Sequence, residues 1–106
     1  MSNLKRPLAA ILLTASGVVA AQQQSPEWQA YSPAAFEQAA SQDRLILLDL
    51  IAVWCHWCHV MEATTYADRS VIDQIERHYV AVQADHDARP DLAERYRDYG
   101  WPATII

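Results

Sequence analysis

An α/β domain with parallel strand pairs at its centre is the fold class this sequence predicts, and three observations carry the expectation. Residues 45–53 form a nearly unbroken run rich in Leu, Ile and Val, as expected of a strand covered on both faces. Stretches with apolar residues at helical spacing lie before and after it. Helical and strand patterns then alternate along the chain, and crossovers of this length join parallel strands.

The chain has 106 residues, enough for one small domain. Its first 21 read as an export signal rather than as part of that domain. Lys5 and Arg6 precede an apolar stretch, 8–21, which closes on the small residues Ala20 and Ala21 before Gln22, Gln23 and Gln24. Cleavage is expected after Ala20 or Ala21. At about 14 residues the stretch falls short of the roughly 20 that a spanning helix needs, so no stable membrane insertion is expected. The mature chain is expected to be exported, to the periplasm or as a secreted protein. Residues 22–27 form a polar leader, and 28–106 the domain.

Within the domain, Ser32 and Pro33 signal a helix start, a capping side chain followed by a pre-set φ. Phe36, Ala39 and Ala40 then form its apolar face until about Gln42. The apolar strand follows, with Asp49 its only interruption. A helix through Val60, Met61 and Thr64 comes next, with Met61 as core filler. Ser70 and Asp73 have the spacing of a capping box, opening a helix whose buried stripe is Ile72, Ile75 and Tyr79. Residues 79–84 alternate like a strand. Pro90 opens a short helix with Leu92, Tyr96 and Tyr99 on one face, and Gly100-Trp101-Pro102 breaks it before a last strand from Ala103.

Charge removes one class of function. Without Lys5 and Arg6 the chain keeps 13 acids and six arginines, a net of −7. The arginines are scattered, apart from Arg95 and Arg97, so no basic stripe exists to follow a phosphate backbone and nucleic acid is not an expected partner. The cysteines suggest another class. Cys55 and Cys58 are the only two, and a bridge between them closes too short a loop to act as scaffolding. Two thiols this close can instead exchange a disulfide with a partner and resolve the mixed intermediate internally. They fall where the apolar strand ends and a helix begins, the edge of an α/β sheet where chemistry gathers.

The stretch LLDLIAVWCHWC, 47–58, resembles the active-site strand and turn of thioredoxin-like proteins, in which an apolar strand carrying a buried Asp leads into WCxxC. Asp49, six residues before Cys55, matches the family's buried acid, and Gly100-Trp101-Pro102-Ala103-Thr104 looks like the loop of its cis-proline. More closely, WCHWCHVME, DHDARPDL and YGWPAT resemble the thioredoxin-like domain of the spermatogenesis-associated family, in the same order and across nearly all of 28–106. The resemblance implies a thioredoxin-like fold with a central mixed sheet and no bound cofactor. That fold continues beyond its cis-proline through two strands and a closing helix, whereas this sequence stops four residues after Pro102, so the domain is expected to be incomplete at its C-terminus.

Roles follow from physical chemistry. Cys55, at a helix N-terminus, would have its pKa lowered by free amides and the helix dipole, which makes it the nucleophile. Cys58, one turn into the helix and expected to be less exposed, would be the resolving thiol. Asp49, if buried beneath the pair, would have a raised pKa and could take the resolving thiol's proton. His56 and Trp57 fill the variable dipeptide: a protonated imidazole beside a thiolate favours the reduced form, and Trp57 offers an apolar platform. Trp101 and Pro102 are expected to line the substrate groove, the Trp101 backbone pairing with an extended segment. The partners expected are protein or peptide thiols and disulfides, and a redox-recycling partner.

Two other readings compete. Cys55 to His59 also fits CxxCH, the attachment signature of c-type haem, with His59 as iron ligand and His78 or His86 as distal candidates. A long buried strand before the motif is wrong for a small helical cytochrome. A binding module of the same fold would need no reactive thiol. Zinc lacks a second ligand pair at metal spacing, and no metal site is expected.

Overall fold

A computed structural model describes residues 16–17 and 24–106. The expected export signal, apart from Ser16 and Gly17, lies outside the described residues. The elements are β1 (Gln29–Ala30), α1 (Pro33–Ser41), β2 (Leu45–Ile51), α2 (His56–Ala63), α3 (Arg69–His78), β3 (Tyr79–Asp85), α4 (Pro90–Arg95) and β4 (Ala103–Ile105), with single 3-10 turns at Thr65–Ala67 and Arg97–Tyr99.

One sheet runs in the order β1-β3-β2-β4. β3 pairs in parallel with β1 and β2, and β4 runs antiparallel to β2. The sheet is therefore mixed, as expected, with parallel pairs at its centre. β2 and β3 carry helices on both faces, which is why both read as nearly continuous apolar runs. On one face Leu48, Leu50, Val80, Val82, Ala84 and Ala103 pack with Ala35 and Ala39 of α1 and Leu92 of α4. On the other, Leu47 and Ala81 pack with Tyr66 and Ile75, with Met61 and Val71 alongside.

Local sequence explains most of the boundaries. Ser32 caps α1 by accepting the Ala35 amide, and Pro33 stands in its first turn. α1 buries Ala39 as expected, but with Ala35 rather than Phe36 and Ala40: Phe36 remains 44% exposed and Ala40 is exposed, because alanines let the helix lie close on the sheet while Phe36 turns aside to meet Tyr31 edge-on at 5.2 Å. The cap of α3 is Asp68 rather than Ser70. Its Oδ1 accepts the amides of Ser70 (2.9 Å) and Val71 (3.2 Å) and the Ser70 hydroxyl, so a carboxylate two residues upstream takes the role assigned to the serine. Ile72 and Ile75 are buried as expected, and Tyr79, which begins β3 as expected, packs half-buried against the cluster that holds Ile75.

Two further differences concern phase. The strand ends at Ile51, and Val53 is 72% exposed in the turn that follows. α4 stops at Arg95, and the tighter 3-10 winding of 97–99 carries Tyr99 off the face of Leu92 into solvent, 70% exposed. β1, two residues paired with Val82 and Gln83, has too short a pattern to be read in advance. Among the described residues no helix is long and apolar enough to cross a membrane.

Candidate active site

The carboxyl end of β2 turns through Ala52, Val53 and Trp54 into α2. The Cys55 amide donates to Ala52 O at 3.0 Å, and Cys55 is the N-cap of α2 with an extended backbone. Its Sγ accepts the Cys58 amide at 3.1 Å, so the nucleophile candidate occupies the position where a side-chain acceptor meets the free amides of a helix start. Cys55 and Cys58 are joined as a disulfide, their Cα atoms 5.3 Å apart. Both sulfurs turn inward onto Ala52, with Ile51 and Trp101 packed against them. The expected difference in exposure is absent from this oxidised pair, at 6% for Cys55 and 5% for Cys58, because one cluster covers both. The helix position, not accessibility, distinguishes them.

Asp49 is 2% exposed and shares a face of β2 with Leu47 and Ile51, the latter in contact with the cysteine cluster. Its Oδ2 accepts Gln83 Nε2 at 3.2 Å from the neighbouring strand, and its Oδ1 has no partner. Burial pushes its pKa up to about 6, offset in part by the Gln83 hydrogen bond and reinforced by the negative charge of Glu62 on α2. Across the opposite register, Asp49 faces Thr104 of β4, whose hydroxyl lies 3.0 Å from the Tyr66 hydroxyl. Burial raises the Tyr66 pKa as well. The acid thus sits in a polar row, Gln83, Asp49 and Thr104, crossing the three strands β3, β2 and β4.

The remaining predicted residues divide between rim and cover. His56 and Trp57 lie on the exposed first turn of α2, their rings edge-on at 5.1 Å and Trp57 66% exposed. They are outside the cluster that covers the sulfurs. Trp101 is part of that cover, and its bond to Pro102 is cis. Gly100 before it has φ +78°, ψ −167°, backbone that only glycine adopts readily, although nothing lies within 4 Å of where a Cβ would sit. The Trp101 Nε1 is buried without an acceptor, a placement that costs about 1–3 kcal/mol and marks the ring as held by packing.

Several neighbours make contacts that the sequence did not reveal. Trp54, 61% exposed, donates Nε1 to Asp87 Oδ2 at 3.1 Å. Asp87 Oδ1 lies 2.8 Å from His86 Nδ1, and His86 is edge-on to both Trp54 and Trp101. His59 Nε2 meets Val53 O at 2.9 Å, tying the exposed turn to α2. The stretch DHDARPDL is visible in the sequence as a motif, but only strand order shows that its first residues reach Ile51, Trp54 and Trp101 around the cysteine turn. Gln83 was legible in principle: a polar residue in an apolar strand, it stands directly beside Asp49 once β2 and β3 are paired in register. Among the described residues no group of three or more His, Cys, Asp or Glu side chains is gathered as a metal site.

Comparison with known proteins agrees with this geometry. Spermatogenesis-associated protein 20 of Homo sapiens is 26% identical over 87 residues, covering 74% of this chain and 11% of that protein, so the chain spans a small part of its relative's length. A solved thioredoxin from Thermus thermophilus superposes with a TM-score of 0.67 at 26% identity, covering 76% of this chain and 63% of that one. A structure described as a DsbH oxidoreductase superposes at 0.63 with 22% identity, covering 86% and 74%, a likeness of fold. The fold is thioredoxin-like, of the kind found in oxidoreductases, with its two cysteines within disulfide distance. The model of the Thioredox_DsbH family, described as a protein of unknown function, DUF255, matches residues 11–106, and the chain belongs to that family.

Proposed function

We propose that the protein is an exported thiol:disulfide oxidoreductase, periplasmic or secreted, that exchanges disulfides with protein or peptide thiols. The observation that carries the reading is the Cys55 sulfur at the N-cap of α2, accepting the Cys58 amide and bonded to Cys58. A thiolate in that place is stabilised by the amide and by the helix dipole, which lowers its pKa and makes it a good leaving group.

In the reducing direction the Cys55 thiolate attacks one sulfur of a substrate disulfide. A Cys55–substrate disulfide forms and the substrate's other sulfur leaves as thiolate, to be protonated by solvent. Cys58 then loses its proton to Asp49 and attacks the Cys55 sulfur; the second substrate thiolate departs, and the Cys55–Cys58 disulfide remains. Two electrons have passed from the protein to the substrate, and a recycling partner must return them. Oxidation is the same sequence reversed. An acid with a pKa of about 6 is suited to the proton step, because near neutral pH it both accepts and releases a proton readily. Trp101 and Pro102 form the substrate side of the sulfurs, and His56 and Trp57 the outer rim that tunes the potential.

His59 Nε2, the atom a haem iron would take, is engaged with Val53 O, which favours exchange over haem attachment. The test is a Cys58→Ser trap. Stable mixed disulfides through Cys55 are expected, with none in the Cys55→Ser, Cys58→Ser double variant. Activity that survives Cys55→Ala would leave the binding-module reading ahead, and a haem absorption band in the purified wild type would restore the CxxCH reading.

A further inference from the structure

The loop after β3 carries a side-chain pair that the exchange steps do not use. Asp85 Oδ1 accepts the amides of Asp87 (2.9 Å) and Ala88 (3.1 Å), which shapes the loop, and the His86 amide donates to Ile51 O at 2.8 Å. His86 is thereby pinned at the carboxyl edge of the sheet, between the turn leading to Cys55 and the loop carrying Trp101. One carboxylate serves both neighbours: Asp87 Oδ1 lies 2.8 Å from His86 Nδ1, and its Oδ2 accepts Trp54 Nε1 at 3.1 Å. The imidazole stands edge-on between two indoles, with its centroid 5.5 Å from Trp54 and 4.9 Å from Trp101.

We propose that His86, held by Asp87, is a positioning residue that locks the Trp101 indole onto the cysteine pair and joins it to Trp54, so that the two indoles form one wall for an apolar or aromatic side chain beside the reacting cysteine of a polypeptide substrate. The inference rests on the exchange reading and gives it a substrate class. Trp101 needs such a lock. Its Nε1 has no acceptor, so no hydrogen bond of the indole fixes the ring, and Gly100 before it contributes no side chain. Its ring contact among the described residues is His86. The polar contact of His86 is Asp87 and its ring contacts are indoles, which suits support of the wall rather than transfer of a proton to sulfur. Val53, the chain neighbour of Trp54, is largely exposed and adds apolar surface next to it.

The test compares two disulfides with the full chain: a bridged peptide carrying Phe or Leu beside its cysteine, and oxidised glutathione, which is too small and polar to use the wall. His86→Ala is expected to raise KM for the peptide about 10-fold while changing glutathione turnover less than about 3-fold. His86→Phe keeps a ring between the indoles and should bring the peptide KM back to within about 3-fold of wild type, whereas His86→Asn keeps a donor for Asp87 without the ring and should not. Both of these fill the site, so their comparison decides the matter even where the alanine variant folds poorly. An unchanged peptide KM in His86→Ala, or rescue by Asn rather than Phe, overturns the inference alone. A wild type inert toward both disulfides overturns the exchange reading and the inference with it.

Discussion

The two faces of the sheet are made by the same central strands yet differ in what they bury. Under α1 and α4, β2 and β3 present only Leu, Ile, Val and Ala, and every buried neighbour is apolar. Under α2 and α3 the same strands present Leu47 and Ala81 but also Asp49 and Gln83, and the polar row continues to Thr104 and the Tyr66 hydroxyl. One face is optimised for burial, at about 25 cal/mol per Å² of apolar surface. The other gives up part of that stabilisation to keep an ionisable group dry. Stability and chemistry are thus divided between the two sides of one layer, and substitutions on the two sides should fail in different ways.

The largest effect should come from Cys55→Ala, which is expected to reduce exchange at least about 1,000-fold while the circular dichroism spectrum stays that of a folded α/β protein. On the apolar face, Leu50→Ala removes a side chain 1% exposed and should cost about 2–5 kcal/mol in urea unfolding. Its exchange rate per folded molecule should remain within a few-fold of wild type; a loss matching that of a site variant would break the division between faces.

Asp49→Asn should act in the opposite sense on stability. The folded pKa is raised from 3.8 to about 6, so the folded state holds the proton more tightly than the unfolded one. Its stabilising contribution is present below about pH 4 and is lost as pH rises through about 6. Above that, the buried charge costs about 2–3 kcal/mol. The asparagine variant is therefore expected to be more stable than wild type by that amount at pH 8 and similar to it at pH 4, with resolution of the mixed disulfide slowed about 10- to 100-fold at pH 7. The smallest effect is that of Gln83→Leu, which removes the hydrogen bond lowering the Asp49 pKa and should move the pH midpoint of the resolving step upward, as read from single-turnover rates across pH 5–9.

How much of this was legible in the sequence follows from the range of each interaction. The apolar run of β2, the Ser32-Pro33 start of α1 and the position of Cys55 at a strand-to-helix seam are local patterns, and the structure has all three, with β2 ending at Ile51, two residues before the run does. Residue-level phase was less secure. Phe36 looked like core because it is large, yet the close approach of α1 to the sheet selects Ala35 and Ala39. Ser70 looked like a cap because its spacing to Asp73 fits, yet the helix starts two residues earlier, where the Asp68 carboxylate accepts the amides of Ser70 and Val71. Asp49 was legible as an interruption, but the partners that define it come from β3, β4 and the turn after α2, which no single stretch of sequence reveals. His86 and Asp87 were missed for the same reason: their importance arises from the turn of β2 and the loop after α4 converging on them.

Gly100 imposes a limit of a different kind on that loop. Its φ of +78° and ψ of −167° mirror the extended backbone that ordinary residues prefer, and the space around the missing Cβ is open. What excludes an alanine there is therefore handedness rather than crowding. In a chemically synthesised chain, a D-alanine would match the backbone that its L-counterpart resists, leaving the indole next to it undisturbed.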